Sequence, residues 1–231
     1  MGYPEGMPDP AALRSTDAAP DERDGADPGP AAGPGLRARK RLSAMLRIQS
    51  VALDLFEERG FDAVTVEEVA EDSEVSPSSV YRYFGTKEQL VLWDELDRDL
   101  IELLREAVAD EVPLDGVRRV VTAAIAGLTP QGERRLARRM RLVMATPSVE
   151  QASVAQSYTL AEQLGEVLAE RLGRPAIDLE VQVFSHALVG GFLGMLHHWH
   201  GTDFQAPLPD VARRCLEIFT TGLDVVAGRP A

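Results

Sequence analysis

Between positions 76 and 87 the segment SPSSVYRYFGTK gathers hydroxyls and cations: Ser76, Ser78, Ser79, Tyr81, Arg82, Tyr83 and Lys87. Short hydroxyls at the leading end of a helix let its backbone approach a surface dense in donors and acceptors, such as base edges. Longer donors, a phenol or a guanidinium, reach the phosphates that flank a groove. Upstream, Arg37, Arg39, Lys40 and Arg41 crowd into five positions and form a second cationic group. Two readings fit that group: an arm reaching the minor groove or backbone of a duplex, or a solvated helix start. No nucleophile–base spacing, glycine-rich phosphate loop or HExxH pattern occurs anywhere in the chain. The chemistry on offer is recognition of nucleic acid rather than bond breaking.

Such side chains need short helices to hold them, and local signals predict these. Leu42, Met45, Ile48, Ala52, Leu55 and Phe56 recur at spacings of three and four, one apolar stripe on a helix that Gly60 ends. Thr65 with Glu68 is a capping box for a second helix, whose inner face is Val66, Val69 and Ala70. Ser76 caps a third helix with Pro77 at its first position; it runs through Val80 to Phe84, and Gly85 breaks it. Thr86 and Gln89 make another capping box. From there Leu92, Leu96, Leu100, Leu103 and Leu104 predict one long fourth helix to about Asp110, before Pro113. Two short helices joined by a short turn, the second rich in hydroxyls, have the form of a helix-turn-helix, with the second helix in the major groove. Lys87 then falls in the first turn of the fourth helix, where a cation and a helix N-terminus can hold one phosphate.

Three stretches together resemble the DNA-binding domain of the tetracycline-repressor (TetR) family. They are Ala52-x-x-Leu55-Phe56-x-x-x-Gly60-Phe61, Thr65-Val66-x-x-Val69-Ala70, and Val75-Ser76-x-Ser78-Ser79-Val80-Tyr81-x-Tyr83-Phe84-x-x-Lys87-x-x-Leu90. The resemblance covers about fifty residues; the remaining helices fit the family's larger domain in count and length only. It implies a homodimeric transcription regulator, usually a repressor, released from a palindromic operator by a small molecule. By the same resemblance, Tyr81, Tyr83 and Lys87 hold phosphates, Thr65 caps and touches a phosphate, and Ser78 and Ser79 face bases. One departure stands out: the family usually has glycine where this chain has Glu74. If that turn needs positive φ, glutamate costs about 1 kcal/mol there.

Downstream, helices are predicted over 114–128, 131–145, 147–172, 177–200 and 208–226, about nine in all, with no strand alternation and no repeat. The predicted fold is all-α, divided into an acidic Pro/Gly/Ala-rich disordered tail (1–36), a DNA-binding domain (37–88) and an effector-binding and dimerisation domain (89–231). The tail carries seven prolines and seven acids against two arginines. It has almost no apolar mass to offset the entropy of ordering. The apolar stripes of the last two helices predict a dimer through Phe184, Leu188, Phe192, Val211, Phe219 and Leu223, closing a four-helix bundle across a two-fold axis.

Composition sets the outer bounds. The 231 residues hold 24 Lys+Arg against 37 Asp+Glu, a net charge of −13. Residues 37–90 alone contain 8 basic and 10 acidic residues, a weak footprint for a DNA binder, so affinity is expected to lean on Arg37–Arg41. One cysteine, Cys215, excludes an internal disulfide and a four-thiolate zinc site. The longest uncharged apolar run, 187–196, is short for a bilayer, and the N-terminus has charges where a signal peptide needs its apolar stretch. A cytoplasmic protein with no membrane partner is expected.

Further clusters have a bland and a functional reading. Arg134, Arg135, Arg138, Arg139 and Arg141 can be a solvated face paired with acids of neighbouring helices, or can bind an anionic effector. His186, His197 and His200 can at most converge, while His198 diverges, and the spacing matches no metal-ligand pattern. No metal and no cofactor are expected. Gly190 and Gly191 interrupt an apolar helix, which suits close helix packing or a ligand cavity. A largely apolar effector pocket is assigned to Trp93, Met140, Met144, Tyr158, Phe192 and His197. Two other functions fit less of the pattern: a DNA-binding regulator that senses a protein partner, and an enzyme with a His/Arg site in the larger domain.

Overall fold

The computed structural model of the chain describes residues 35–94 and 97–221. The tail up to residue 34 and Leu223 lie outside the described residues. Ten helices follow in order: α1 (Leu36–Arg59), α2 (Val66–Asp72), α3 (Pro77–Phe84), α4 (Gln89–Leu92), α5 (Asp97–Asp110), α6 (Pro113–Ala126), α7 (Pro130–Ala145), α8 (Pro147–Leu172), α9 (Leu179–Gly201) and α10 (Leu208–Thr221). No strand occurs among the described residues, so the fold is all-α.

Three apolar cores hold it together. The first packs Met45, Ile48, Ala52, Leu53 and Phe56 of α1 on Val66 and Val69 of α2, Val80 and Phe84 of α3, and Leu90–Leu92 of α4. Leu142 and Val143 of α7 and Val149 of α8 complete it, so this core continues past residue 88 into the larger bundle. The α1 stripe differs from the sequence reading at its start: Leu42 is 40% exposed, and Leu53 is buried instead. The second core joins α5, α6, α8 and α9. The third seats Trp199 among Ala137, Met195, Leu208, Ala212 and Cys215, and its indole N–H donates to the Ala206 carbonyl.

The predicted long fourth helix is two helices, and the reason is tertiary. In an unbroken helix each carbonyl accepts from the amide four residues on. Here the carbonyls of Val91 and Leu92 accept from the Arg139 guanidinium of α7, and that of Trp93 accepts from Gln49 Nε2 of α1 at 2.8 Å. Two side chains distant in sequence thus take three successive acceptors, and α4 stops at Leu92. Gln49 is 1% exposed, a buried amide made tolerable by this bond.

α9 is apolar enough over its 23 residues to cross a membrane by length and composition, beyond what its uncharged run alone suggested. It is nevertheless packed against α8 and α10, with Val181, Ser185, Leu188 and Trp199 buried in the protomer. Gly191 explains its contact with α10. A Cβ placed there would lie 2.5 Å from Phe219 Cζ, whereas one at Gly190 or Gly194 would meet nothing within 4 Å. Gly191→Ala is expected to lower stability by about 1–3 kcal/mol through overpacking, while Gly190→Ala leaves the isolated protomer no less stable. Denaturant midpoints of the two variants check this; equal values would mean that the Phe219 contact is dispensable.

Candidate nucleic-acid interface

Local chemistry builds the recognition element as the sequence predicts. Thr65 is the N-cap of α2: its Oγ1 accepts from the Glu68 amide, and the Glu68 carboxylate accepts from the Thr65 amide at 2.7 Å. Ser76 is the N-cap of α3, accepting from the Ser79 amide, with Pro77 in the first turn. Between the helices Glu74 has φ +54°, and Gly60 and Gly85 bound the unit at φ +86° and +78°. The glutamate therefore occupies the left-handed position where glycine would be unstrained.

Val80 and Phe84 anchor α3 in the core, which turns Ser76, Ser78, Tyr81 and Arg82 outward and leaves Ser79 and Tyr83 half-buried at the margin. Ser76 Oγ lies 2.9 Å from both Ser78 Oγ and Ser79 Oγ, and Arg82 donates to Ser79 Oγ at 3.2 Å. The Arg82 and Arg41 guanidiniums sit 5.0 and 5.6 Å from the Tyr83 ring centroid, the first within α3 and the second a cation–π contact from α1 to α3. Arg39, Lys40 and Arg41 are exposed, but on a helix that already begins at Leu36 rather than on an extended arm. Cations near a helix start are disfavoured by the macrodipole, and of the three Arg41 alone has a local contact among the described residues, with Tyr83.

Lys87 departs most from its sequence reading. Its ammonium turns inward, donating to the Phe61 carbonyl and lying 4.2 Å from the Phe61 ring centroid, with Phe56 at 5.6 Å. The helix beside it, α4, has four residues and a weaker cap than predicted, Gln89 N–H to Thr86 Oγ1 at 3.4 Å. Lys87 thus ties α4 to the loop after α1, and only its remaining donors are available to a phosphate.

The acidic excess of this region is partly spent internally. Arg138 of α7 takes Glu57 with two nitrogens and Asp54 with one, all at 2.6–2.7 Å, and Glu57 foremost holds its guanidinium protonated above the ordinary range. Arg139 pairs with Asp94 at 2.6 Å. Arg141 lies over Phe204. The Arg134–Arg141 run is therefore largely a set of struts from α7 to α1 and to the end of α4. Its sequence signal, a charge run, does not say where the partners sit.

Glu68 is held down to about 2, from an ordinary 4.5, first by the Thr65 amide and then by Arg59 at 2.6 Å and the Thr65 hydroxyl. Because the folded value lies below the unfolded one, its stabilisation is complete above about 4.5 and is lost as pH falls towards about 2. Glu68→Gln is expected to flatten that acid limb. Unfolding midpoints followed by circular dichroism across the window check it, and parallel curves would remove the carboxylate from the cap.

The assigned effector-pocket residues do not converge. Trp93 is half-buried beside Phe84, and Met140 and Met144 face the protein interior. Phe192 packs on the second and third cores, Tyr158 is 59% exposed with its ring on His186, and His197 is exposed. Instead two clefts flank Ile125. One of about 420 Å³ runs between α6 and α10, walled by Arg118, Thr122, Ile125, Ala212, Arg213 and Leu216. The other, about 130 Å³, lies where α1, the end of α4, α6 and α7 meet. Of the assigned dimer residues, Leu188 is 2% exposed inside its own protomer and Phe219 is spent on Gly191, so neither leads an outer face. Phe184, Phe192 and Val211 keep partial exposure.

An outward, hydroxyl-edged helix set by its caps on a short acidic helix and a strained turn is the architecture of a helix-turn-helix DNA-binding protein. Residues 48–92 match the family profile described as bacterial regulatory proteins, tetR family, and residues 111–224 match the MftR C-terminal domain. The chain belongs to the TetR family of transcription regulators. Its relatives include TcmR, an HTH-type transcriptional regulator of Streptomyces glaucescens, 30% identical over 64% of this chain and 67% of the relative. The putative mycofactocin biosynthesis transcriptional regulator MftR of Mycobacterium tuberculosis is 23% identical over 80% of this chain and 94% of its own. Among solved structures, NalD, the secondary repressor of the MexAB-OprM multidrug efflux pump in Pseudomonas aeruginosa, shares the fold at TM-score 0.52 and 21% identity, covering 80% of this chain and 98% of that one.

Proposed function

We propose that this chain is a cytoplasmic homodimeric repressor that binds a palindromic operator and leaves it when a small molecule binds the helical domain, and that it is not an enzyme. The observation that carries the reading is the outward face of α3, whose Ser78, Tyr81 and Arg82 are exposed while Val80 and Phe84 fix its orientation. On this reading Ser76, Ser78 and Ser79 approach bases, and Tyr81, Arg82, Tyr83, Thr65 and the Arg39–Arg41 group position the backbone of the duplex.

A dimer is supported by α9. Val183, Ala187, Gly190 and Gly194 form an exposed stripe at spacings of three and four, beside exposed Tyr158 and Val154 of α8. An uncovered apolar face of this kind is what a second copy buries, with small residues letting the helices approach closely. Two recognition helices must also enter major grooves roughly 34 Å apart, which a two-fold dimer arranges. A small-molecule effector is supported by the clefts and by solved structures of this fold that hold triclosan, lauroyl-CoA and stearoyl-CoA. Selection of bound fragments from random duplex DNA tests the reading. An enriched inverted repeat, with each isolated half-site bound far more weakly, is expected; an enriched site without two-fold symmetry would contradict it.

A further inference from the structure

The smaller cleft is walled by Gln49 of α1, Trp93 and Asp94 after α4, Ile125 of α6 and Leu128 just beyond it, Arg135 and Arg139 of α7, and Leu208. Its cations are not equivalent. Arg139 is neutralised by Asp94, and its neighbour Arg138, outside the cleft, by Asp54 and Glu57. Arg135 is half-buried in the cleft wall and makes no hydrogen bond or ion pair with any described residue. The cleft thus combines one uncompensated positive charge with an apolar lining from Trp93, Ile125, Leu128 and Leu208. A guanidinium partly withdrawn from water wants an acceptor, and its planar fork matches a carboxylate in two hydrogen bonds. The space of about 130 Å³ equals roughly four waters, enough for one ring or a short chain and too little for a long acyl group.

We infer that this cleft binds a small organic monoanion with an apolar body, an aryl or short-chain carboxylate, with Arg135 holding the carboxylate and Trp93, Leu128 and Leu208 covering the body. The inference rests on the effector release proposed above and names the chemistry of that effector. Its location gives a route to DNA. Gln49 and Arg139, in the same wall, hold the carbonyls of residues 91–93 and so fix where α4 ends. An anion beside Arg139 competes with Asp94 and with those carbonyls, loosening the tie between α7 and the DNA-binding helices.

The test titrates benzoate, phenylacetate and hexanoate against the full chain at millimolar concentration, by calorimetry and indole fluorescence. Saturable binding of at least one is expected by calorimetry, with a fluorescence change that Trp93→Phe reduces, Trp199 being buried in the core that Leu128 and Leu208 of the cleft wall also join. Arg135→Gln should weaken it by a factor of about ten to a hundred. Arg134→Gln, which alters an exposed cation one residue away, should leave it unchanged. No saturable binding of any of the three, or equal affinity in wild type and Arg135→Gln, overturns the site. Binding through Arg135 that leaves operator affinity unchanged keeps the site and removes the effector reading. Release of operator by a neutral molecule, undiminished in Arg135→Gln, keeps the effector reading and overturns the site.

Discussion

Gly190→Arg is expected to give a folded monomer whose operator affinity falls by about a thousandfold or more, to the level of non-specific binding. The protomer has no reason to suffer. A Cβ at Gly190 meets nothing within 4 Å, the position is exposed, and replacing a helix-interior glycine favours the helix by up to about 1 kcal/mol. The partner does suffer, because a guanidinium placed in the Val183–Ala187–Gly190–Gly194 stripe would be buried without a counter-charge when two copies meet. With one protomer per half-site the second recognition helix is no longer delivered at high effective concentration. Sedimentation and operator titration of the same sample check both halves of the expectation. A Gly190→Arg chain that remains dimeric and binds the operator like wild type would move the interface to another face. The choice of Gly190 over Phe219 follows from packing: a charge at Phe219 would disrupt the protomer's own contact with Gly191 and confuse unfolding with dissociation.

The second large effect concerns charge. Replacing Arg39, Lys40 and Arg41 together by alanine is expected to flatten the dependence of log affinity on log salt by roughly five for the dimer, about 0.9 for each of the phosphates, three per protomer, that are no longer neutralised. All three are exposed and none is paired with an acid among the described residues, so the one stabilising contact removed is that of Arg41 with the Tyr83 ring. The region can bind a polyanion despite its acids because Asp54, Glu57 and Glu68 are already engaged by Arg138 and Arg59. An unchanged slope would make the group a solvated helix start and leave its conspicuous charge without a nucleic-acid role.

What can be read from the sequence divides by range. The α2 and α3 boundaries are legible because Thr65 with Glu68, and Ser76 with Pro77, act within three residues, and Glu74 flags a turn whose φ is indeed +54°. The long fourth helix is misread because its pattern is continuous. What ends it at Leu92 is Gln49, 44 residues before Trp93, and Arg139, 47 and 48 residues after Leu92 and Val91. Gln49 does leave a trace, a polar residue inside an apolar stripe, but nothing local says what it bonds. The arginine run of α7 looks like a solvated face for the same reason, since Asp54, Glu57 and Asp94 become its partners only in the folded bundle. Lys87 carries a phosphate-like signature in sequence, yet two aromatic rings and a carbonyl claim its ammonium in space. Effector-pocket residues chosen by type alone scatter, because Tyr158 and His197 face outward while Met140 faces the interior.

That α3 enters the major groove is the centre of the account, and a cutting reagent tethered to α3 tests it most directly. Ser78→Cys would place a thiol on the exposed face of α3, and the chain's own Cys215 is buried, its thiol hard to ionise because burial pushes its pKa up. A DNA-cleaving iron chelate on that thiol should cut operator DNA at two symmetric clusters of positions, about one helical turn apart, on the major-groove face. The same chelate on Ile177→Cys, an 84% exposed position between α8 and α9, should leave the duplex uncut. Strong cutting from Ile177 and none from Ser78 would contradict the assignment of α3 as the recognition helix.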